Sequence, residues 1–248
     1  MRPFIGAILV TVVASGLNGS ARADDAKDPQ AILDKAIKAL GGEEKLSKVK
    51  AASWKAKGTI NFGGNEMEFT SQTTAQGLDH VRSEFEGSFG KGFLVIAGDK
   101  GWRKFGEMGG ELDKDQLANE KRNVHLQLVP VLILPLKGKD FKVETGGEQK
   151  VGDKPAVGIK VTGPEGKNFT LYFDKESGLP VKMVAKVLGF MDDEHDQETT
   201  FANYKEFDGI KKATKVDSKR DGEKFLNSEI TEFKVLDKVD PKTFTEPE

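Results

Sequence analysis

The sequence predicts a mainly β (α+β) protein organised as one large curved antiparallel sheet or open barrel. Three observations predict it. From residue 53 onward, apolar and polar residues alternate with period 2. Short turns rich in Gly and Asp separate the alternating runs. Helical periodicity is confined to two places, near residue 30 and near residue 120.

The first helix has both its stops written in. Asp28 is a good N-cap and Pro29 fits the first helical position, where its missing N–H costs nothing. Ile32, Leu33, Ala36, Ile37 and Leu40 share one face, and Gly41-Gly42 ends the segment. Residues 43–49 add a further turn or two.

The first strand covers residues 53–62, with Trp54, Ala56, Gly58, Ile60 and Phe62 on one side. Gly63-Gly64-Asn65 is a turn, and a second strand carries Met67 and Phe69 on its apolar side. Runs at 78–85, 92–97 and 102–105 continue the pattern. Residues 113–127 then read as an inserted helix capped by Asp113, with Leu117, Val124 and Leu128 roughly on one face. It leads into residues 128–136, the most hydrophobic stretch after residue 24, where Pro130 and Pro135 forbid a regular helix or central strand. Strands resume at 141–145, 156–162, 168–174 and 180–188, then at 198–207, 210–218 and 224–236. Asp208-Gly209 and Asp221-Gly222 mark two of the turns.

The beginning of the chain predicts export. Arg2 is a positive n-region, residues 4–13 are apolar except for Gly6 and Thr11, and Ala21-Arg22-Ala23 is a small-x-small cleavage pattern. The expected division is a signal peptide over 1–23 and a single domain over 24–248, periplasmic or secreted. The apolar run falls short of the roughly 20 residues that span a bilayer, so no transmembrane segment is expected in the mature chain. No cysteine follows the cleavage site, and there is none elsewhere. A lipid anchor and disulfides are therefore not expected.

Lys and Arg number 38 against 40 Asp and Glu, a net charge of −2. Removal of Arg2 and Arg22 makes this about −4, which offers nothing to nucleic acid or an anionic membrane surface.

Catalytic constellations are scarce. His80, His125 and His195 are isolated from one another, and no Gly-x-Ser-x-Gly elbow accompanies them. Asp192-Asp193-Glu194-His195-Asp196 offers oxygen and imidazole ligands, but its spacing fits neither an EF-hand nor a zinc site. It reads as a hydrated loop. Residues 87–92 are glycine-rich without Walker spacing. The expectation is no enzyme, no cofactor and no metal.

A family resemblance emerges from the second half. Val151-Gly152-Asp153-Lys154-Pro155-Ala156 begins it. Leu171-Tyr172-Phe173-Asp174-Lys175-Glu176-Ser177-Gly178-Leu179-Pro180-Val181-Lys182 follows. Phe201-Ala202-Asn203-Tyr204-Lys205-Glu206-Phe207-Asp208-Gly209-Ile210 and Val239-Asp240-Pro241-Lys242-Thr243-Phe244 complete it. Together these resemble the outer-membrane lipoprotein-sorting proteins, the LolA/LolB-like superfamily. The resemblance covers residues 151–244 and is loose before them. It implies an open half-barrel, here of about eleven antiparallel strands, with the N-terminal and inserted helices covering the concave face. It also implies a cavity that holds acyl chains or other apolar ligands.

The aromatic residues, 16 Phe, two Trp and two Tyr, are then either ordinary core or the lining of such a cavity. Trp54, Ile60, Phe62, Met67 and Phe69 are the candidates from the first hairpin. Val131 and Ile133 are those from the proline-containing run, expected to cover or line the space. The expected function is an exported, non-enzymatic protein binding a lipid or acyl chain, with envelope lipoproteins as further candidate partners. The alternative is an envelope protein–protein interaction module with a filled core and no ligand.

Overall fold

The computed structural model describes residues 28–88, 90–130, 132–164, 168–189 and 193–246. Residues 1–23, expected from the sequence to be a signal peptide, and Val131 lie outside them.

The alternating runs form thirteen antiparallel strands in a single sheet: β1 Ala51–Phe62, β2 Asn65–Gln76, β3 His80–Gly87, β4 Gly90–Ala97, β5 Lys100–Phe105 and β6 Met108–Glu111 precede the inserted helix. β7 Lys142–Val151, β8 Lys154–Thr162, β9 Phe169–Asp174, β10 Pro180–Leu188, β11 Glu194–Phe207, β12 Ile210–Arg220 and β13 Glu223–Leu236 follow it. Their order is β6-β5-β4-β3-β2-β1-β13-β12-β11-β10-β9-β8-β7. The two halves of the chain are therefore two meanders joined where β1 pairs with β13. The sheet is open, with β6 and β7 at its edges. The strand count exceeds the expected eleven or so, and β6 is an element the sequence reading omits. Its run Met108-Gly109-Gly110-Glu111 has no alternation to read, and its four residues are exposed.

Curvature has identifiable causes. The ladder slips between Lys55 and Ala56 against β13, between Thr145 and Glu148 against β8, and between Pro180 and Lys182 against β9. Asn203 adds a positive-φ residue (54°) within β11. Each such irregularity inserts backbone on one side and deepens the twist. At Gly58 the strands press together so closely that a Cβ would sit 1.9 Å from the Asn227 carbonyl oxygen.

Helix α1 (Pro29–Leu40) is capped as its sequence prescribes, Asp28 Oδ1 accepting from the Gln30 amide at 2.9 Å. α2 is Glu43–Lys48. α3 (Lys114–Leu128) begins with a capping box between Asp113 and Gln116. A short 3-10 helix, Leu134–Lys137, follows. No helix among the described residues is long and apolar enough to cross a membrane.

The main core lies between α1 and the second meander: Leu33, Ala36 and Leu40 of the helix pack with Ile159, Leu171, Phe173 and Ile210 of the sheet. A smaller cluster, Ala75, Val81, Ile96, Leu117, Val124 and Leu128, ties α3 to the first meander. Both helices thus cover the same face. The hairpin signature Asp174–Pro180 is held locally. Asp174 Oδ1 accepts from the Ser177 amide (2.6 Å), the Ser177 hydroxyl (2.7 Å) and the Glu176 amide (3.1 Å). Burial opposes ionisation of Asp174, but these bonds and the charge of Lys154 hold its carboxyl below the usual range.

Candidate functional site: a cavity under the inserted helix

The register aligns one row of side chains across eight strands of the concave face: Ile159, Leu171, Met183, Thr199, Ser218, Leu226, Ile60 and Met67. Successive members sit directly opposite one another, so their side chains share a face. Over Ile159 and Leu171, at the β8–β9 end of the row, α1 fills the space above this face. Under α3 it is not filled. A cavity of about 500 Å³ remains, within the roughly 300–1,000 Å³ typical of small-molecule sites.

Its apolar walls come from both meanders: Trp54, Ile60, Phe69, Phe85 and Phe105 on one side, Met183, Phe201, Phe225 and Ile230 on the other. Leu126 and Pro130, at the end of α3 and just beyond, form part of the cover. The Phe85–Phe105 pair depends on Gly92, which lies between them in register. A Cβ there would come within 2.4 Å of the Phe85 ring, so the glycine lets the two rings approach to 6.0 Å between centroids.

Polar lining atoms are largely satisfied within the protein. The hydroxyls of Thr73 and Ser83 pair at 3.0 Å, as do those of Thr199 and Ser218. Tyr204 donates to the Pro180 carbonyl at 2.7 Å, and burial raises its pKa. Arg103 and Glu120, the latter on α3, form an ion pair of 2.7 Å. Arg220 stacks its guanidinium 3.6 Å from the Phe225 ring centroid and donates from Nε to Gln197 at 3.0 Å. Lys212 is the exception in kind. It is 8% exposed, its Nζ lies 5.4 Å from the Trp54 ring centroid and 5.3 Å from that of Phe233, and burial depresses its pKa to about 8.

Of the seven residues named from the sequence, the cavity brings together Trp54, Ile60 and Phe69. Met67 is half-buried at the far end of the row, beyond the β3 pairing, and does not line the space. Phe62 ends β1 with 53% of its surface exposed. Ile133 is fully buried in the main core with Val129 and Leu136, not in the cavity wall. The proline-containing run therefore anchors the end of the cover, with Pro130 as its contribution to the wall. Lys212 went unread, although a signal exists. It falls in phase with Ile210, Thr214, Val216 and Ser218, a lysine at an inward position of an alternating strand.

A larger depression of about 720 Å³ lies on the opposite, outer face, walled by Lys55, Lys57, Glu84, Glu86, Lys91 and Lys104. Several of these pair in solvent, as Lys55 does with Glu232 and Lys91 with Glu86. It is a hydrated trough and carries no convergent chemistry. Of the acidic segment 192–196, Asp192 lies outside the described residues, and the rest is paired locally. His195 lies 2.5 Å from Asp193 and 2.6 Å from Asp221, and among the described residues no group of His, Asp or Glu is placed to hold a metal ion. His80 pairs with Asp79 at 2.9 Å, and His125 is buried on α3 against Phe141.

Structural comparison places this architecture. Over 88% of the chain it superposes on a LolA superfamily protein from Nitrosomonas europaea, covering 97% of that protein (TM-score 0.55, 12% identity). The fold is LolA-like. A DUF1329 family protein from Desulfovibrio piger matches 88% of the chain and 98% of its own (TM-score 0.54, 14% identity). An outer membrane lipoprotein-sorting protein domain from Vibrio parahaemolyticus matches 86% and 97% (TM-score 0.53, 10% identity). No family model matches the sequence, and no curated protein does. The likeness thus lies in the LolA-like backbone.

Proposed function

We propose that this chain is an exported, non-enzymatic binding protein of the bacterial envelope that holds a lipid acyl chain in the cavity beneath α3. The single observation that carries the reading is that cavity: a half-barrel whose concave face is filled under one helix and open under the other. A filled-core interaction module has no use for such a space, whereas an acyl chain gains about 0.8 kcal/mol for each methylene it buries. The name under which the Vibrio parahaemolyticus domain was solved, an outer membrane lipoprotein-sorting protein domain, agrees with this reading, as does the signal-peptide pattern ending at Ala23. Trp54, Ile60 and Phe69 are the wall residues that the ligand would touch. Lipids, and lipoproteins through their acyl chains, are the partner class.

The test is mass spectrometry of organic extracts from protein isolated from its native envelope, together with titration of a fluorescent fatty acid into the purified, delipidated protein. Saturable binding that is weakened by Phe69→Asp supports the proposal. A protein that carries no extractable lipid and binds no apolar probe sinks it.

A further inference from the structure

An apolar cavity explains an acyl chain but not Lys212. A buried ammonium costs free energy unless something compensates it. Among the described residues no carboxylate lies within 4.0 Å of Lys212 Nζ, which sits over the faces of Trp54 and Phe233. The charged groups on the surrounding elements are already committed or unsuitable. Glu120 of α3 is held by Arg103, Arg220 of the same strand is stacked on Phe225, and Tyr204 of β11 donates to Pro180. Lys205, opposite Lys212 in the β11–β12 register, is exposed and of like charge.

Position adds a second constraint. Lys212 is two residues from Ile210, which is 1% exposed and belongs to the core beneath α1. There Gly41 approaches so closely that a Cβ would lie 2.5 Å from the Gly209 carbonyl. The ammonium thus lies at the end of the cavity next to the α1 core, away from Phe69, Phe85, Phe105 and Phe225 toward the other ends of the strands. A phospholipid or lipoprotein head group, which must remain in water, does not fit a charge placed so deep.

Size is the third. A cavity of about 500 Å³ is large enough for a long hydrocarbon chain.

Resting on the carrier reading, we propose that the occupant is a free long-chain fatty acid bound head-inward, with its carboxylate against the Lys212 ammonium and its tail along the aromatic wall. The carboxylate supplies the counter-charge that the fold lacks, and the pair is a charge-assisted hydrogen bond in a desolvated setting. Trp54 and Phe233 hold the ammonium in place before the ligand arrives. Because burial sets the Lys212 pKa at about 8 in the empty protein, recognition weakens once the pH exceeds that value and the amine loses its charge.

The experiment is competition against a bound fluorescent fatty acid by hexadecanoic acid, methyl hexadecanoate and phosphatidylglycerol vesicles. It uses the wild type and Lys212→Met, at pH 7 and 9.5, with circular dichroism as the check on folding. The wild type is expected to take the acid at least tenfold more tightly than the ester at pH 7, and to lose several-fold of that preference at pH 9.5. Lys212→Met is expected to bind acid and ester alike at both pH values. Equal displacement by acid and ester in the wild type, which needs no variant, overturns the head-group assignment while leaving the carrier reading standing. So does a variant that keeps its preference for the acid, or displacement by phosphatidylglycerol as effective as by the acid. Absence of any probe binding removes both readings together.

Discussion

The two meanders are built from the same kind of strand, yet they do different things with their concave faces. The second meander, β7 to β13, presents Ile159, Leu171, Phe173 and Ile210 to α1, all at 0 or 1% exposure. The first, β1 to β6, meets α3 through a smaller cluster and leaves Trp54, Phe69, Phe85 and Phe105 bordering open space. The helices explain the difference. α1 turns five apolar residues, Ile32, Leu33, Ala36, Ile37 and Leu40, toward the sheet in its twelve-residue length. α3 is longer and buries Leu117, Val124, Leu126 and Leu128, but much of its middle is polar: Glu120, Asn123 and Gln127 face the cavity. A helix with a full apolar stripe closes a core, and one with a broken stripe roofs a container.

If this division is correct, the largest effect belongs to the filled side. Phe173→Ala, at a site 1% exposed, should cost about 3–5 kcal/mol. Phe69→Ala, in the cavity wall, should cost clearly less and weaken binding of a fatty-acid probe. Urea melts of the two variants with a parallel probe titration check both. Equal losses of stability would erase the distinction between core and container.

A second effect, next in size, concerns the charge inside the container. The Lys212 pKa is about 8 in the fold against 10.5 for the free side chain. Between those values the unfolded chain holds the proton more tightly, so stability rises with pH across that window. A difference of about 2.5 units corresponds to about 3 kcal/mol. Ligand-free wild type should gain stability from pH 8 toward pH 10 relative to Lys212→Met, measured by denaturant melts at each pH. Parallel curves for the two proteins would place the ammonium in water.

Smaller still is the effect of loosening the roof. Asp113 Oδ1 accepts from the amides of Asp115 and Gln116 at 3.0 and 2.9 Å. Asp113→Ala should cost about 1 kcal/mol. If α3 is the cover, the same change should speed probe release in stopped-flow measurements. Asp28→Ala, the matching cap on α1, should destabilise by a similar amount and leave release unchanged.

The smallest effect lies outside both meanders' cores. The hydrogen bond to Asp221 raises the pKa of half-buried His195, with Asp193 adding to it against desolvation and Arg220. Its contribution is complete below the free-histidine value of 6.5 and fades as the pH rises through the higher folded value. Melts of wild type and His195→Gln from pH 5 to 8 should therefore converge at the upper end.

Much of this was legible from residues alone. The capped ends of α1 and α3, the first hairpin with its glycine turn, and the mainly β class all rest on local rules that operate within a few residues. The Asp174–Pro180 hairpin is of the same kind, since its bonds span three residues or fewer on one side chain. Strand β6 escaped because Gly109-Gly110 leaves no side-chain pattern, and its pairing with β5 is the whole of its definition.

Period-2 alternation put Trp54, Ile60, Phe62, Met67 and Phe69 on one side of the first hairpin, and of these Trp54, Ile60 and Phe69 line the cavity. It had no means of saying whether an inward residue meets another side chain or empty space. That depends on which helix crosses above it, a contact between parts of the chain scores of residues apart. Ile133 and Trp54 look equally apolar in sequence, yet one is sealed in the core and the other borders the cavity. The same holds for Lys212. Its inward phase was written in β12, but its place over Trp54 and Phe233, with no carboxylate of the described residues within 4.0 Å, exists only once β1, β12 and β13 lie side by side.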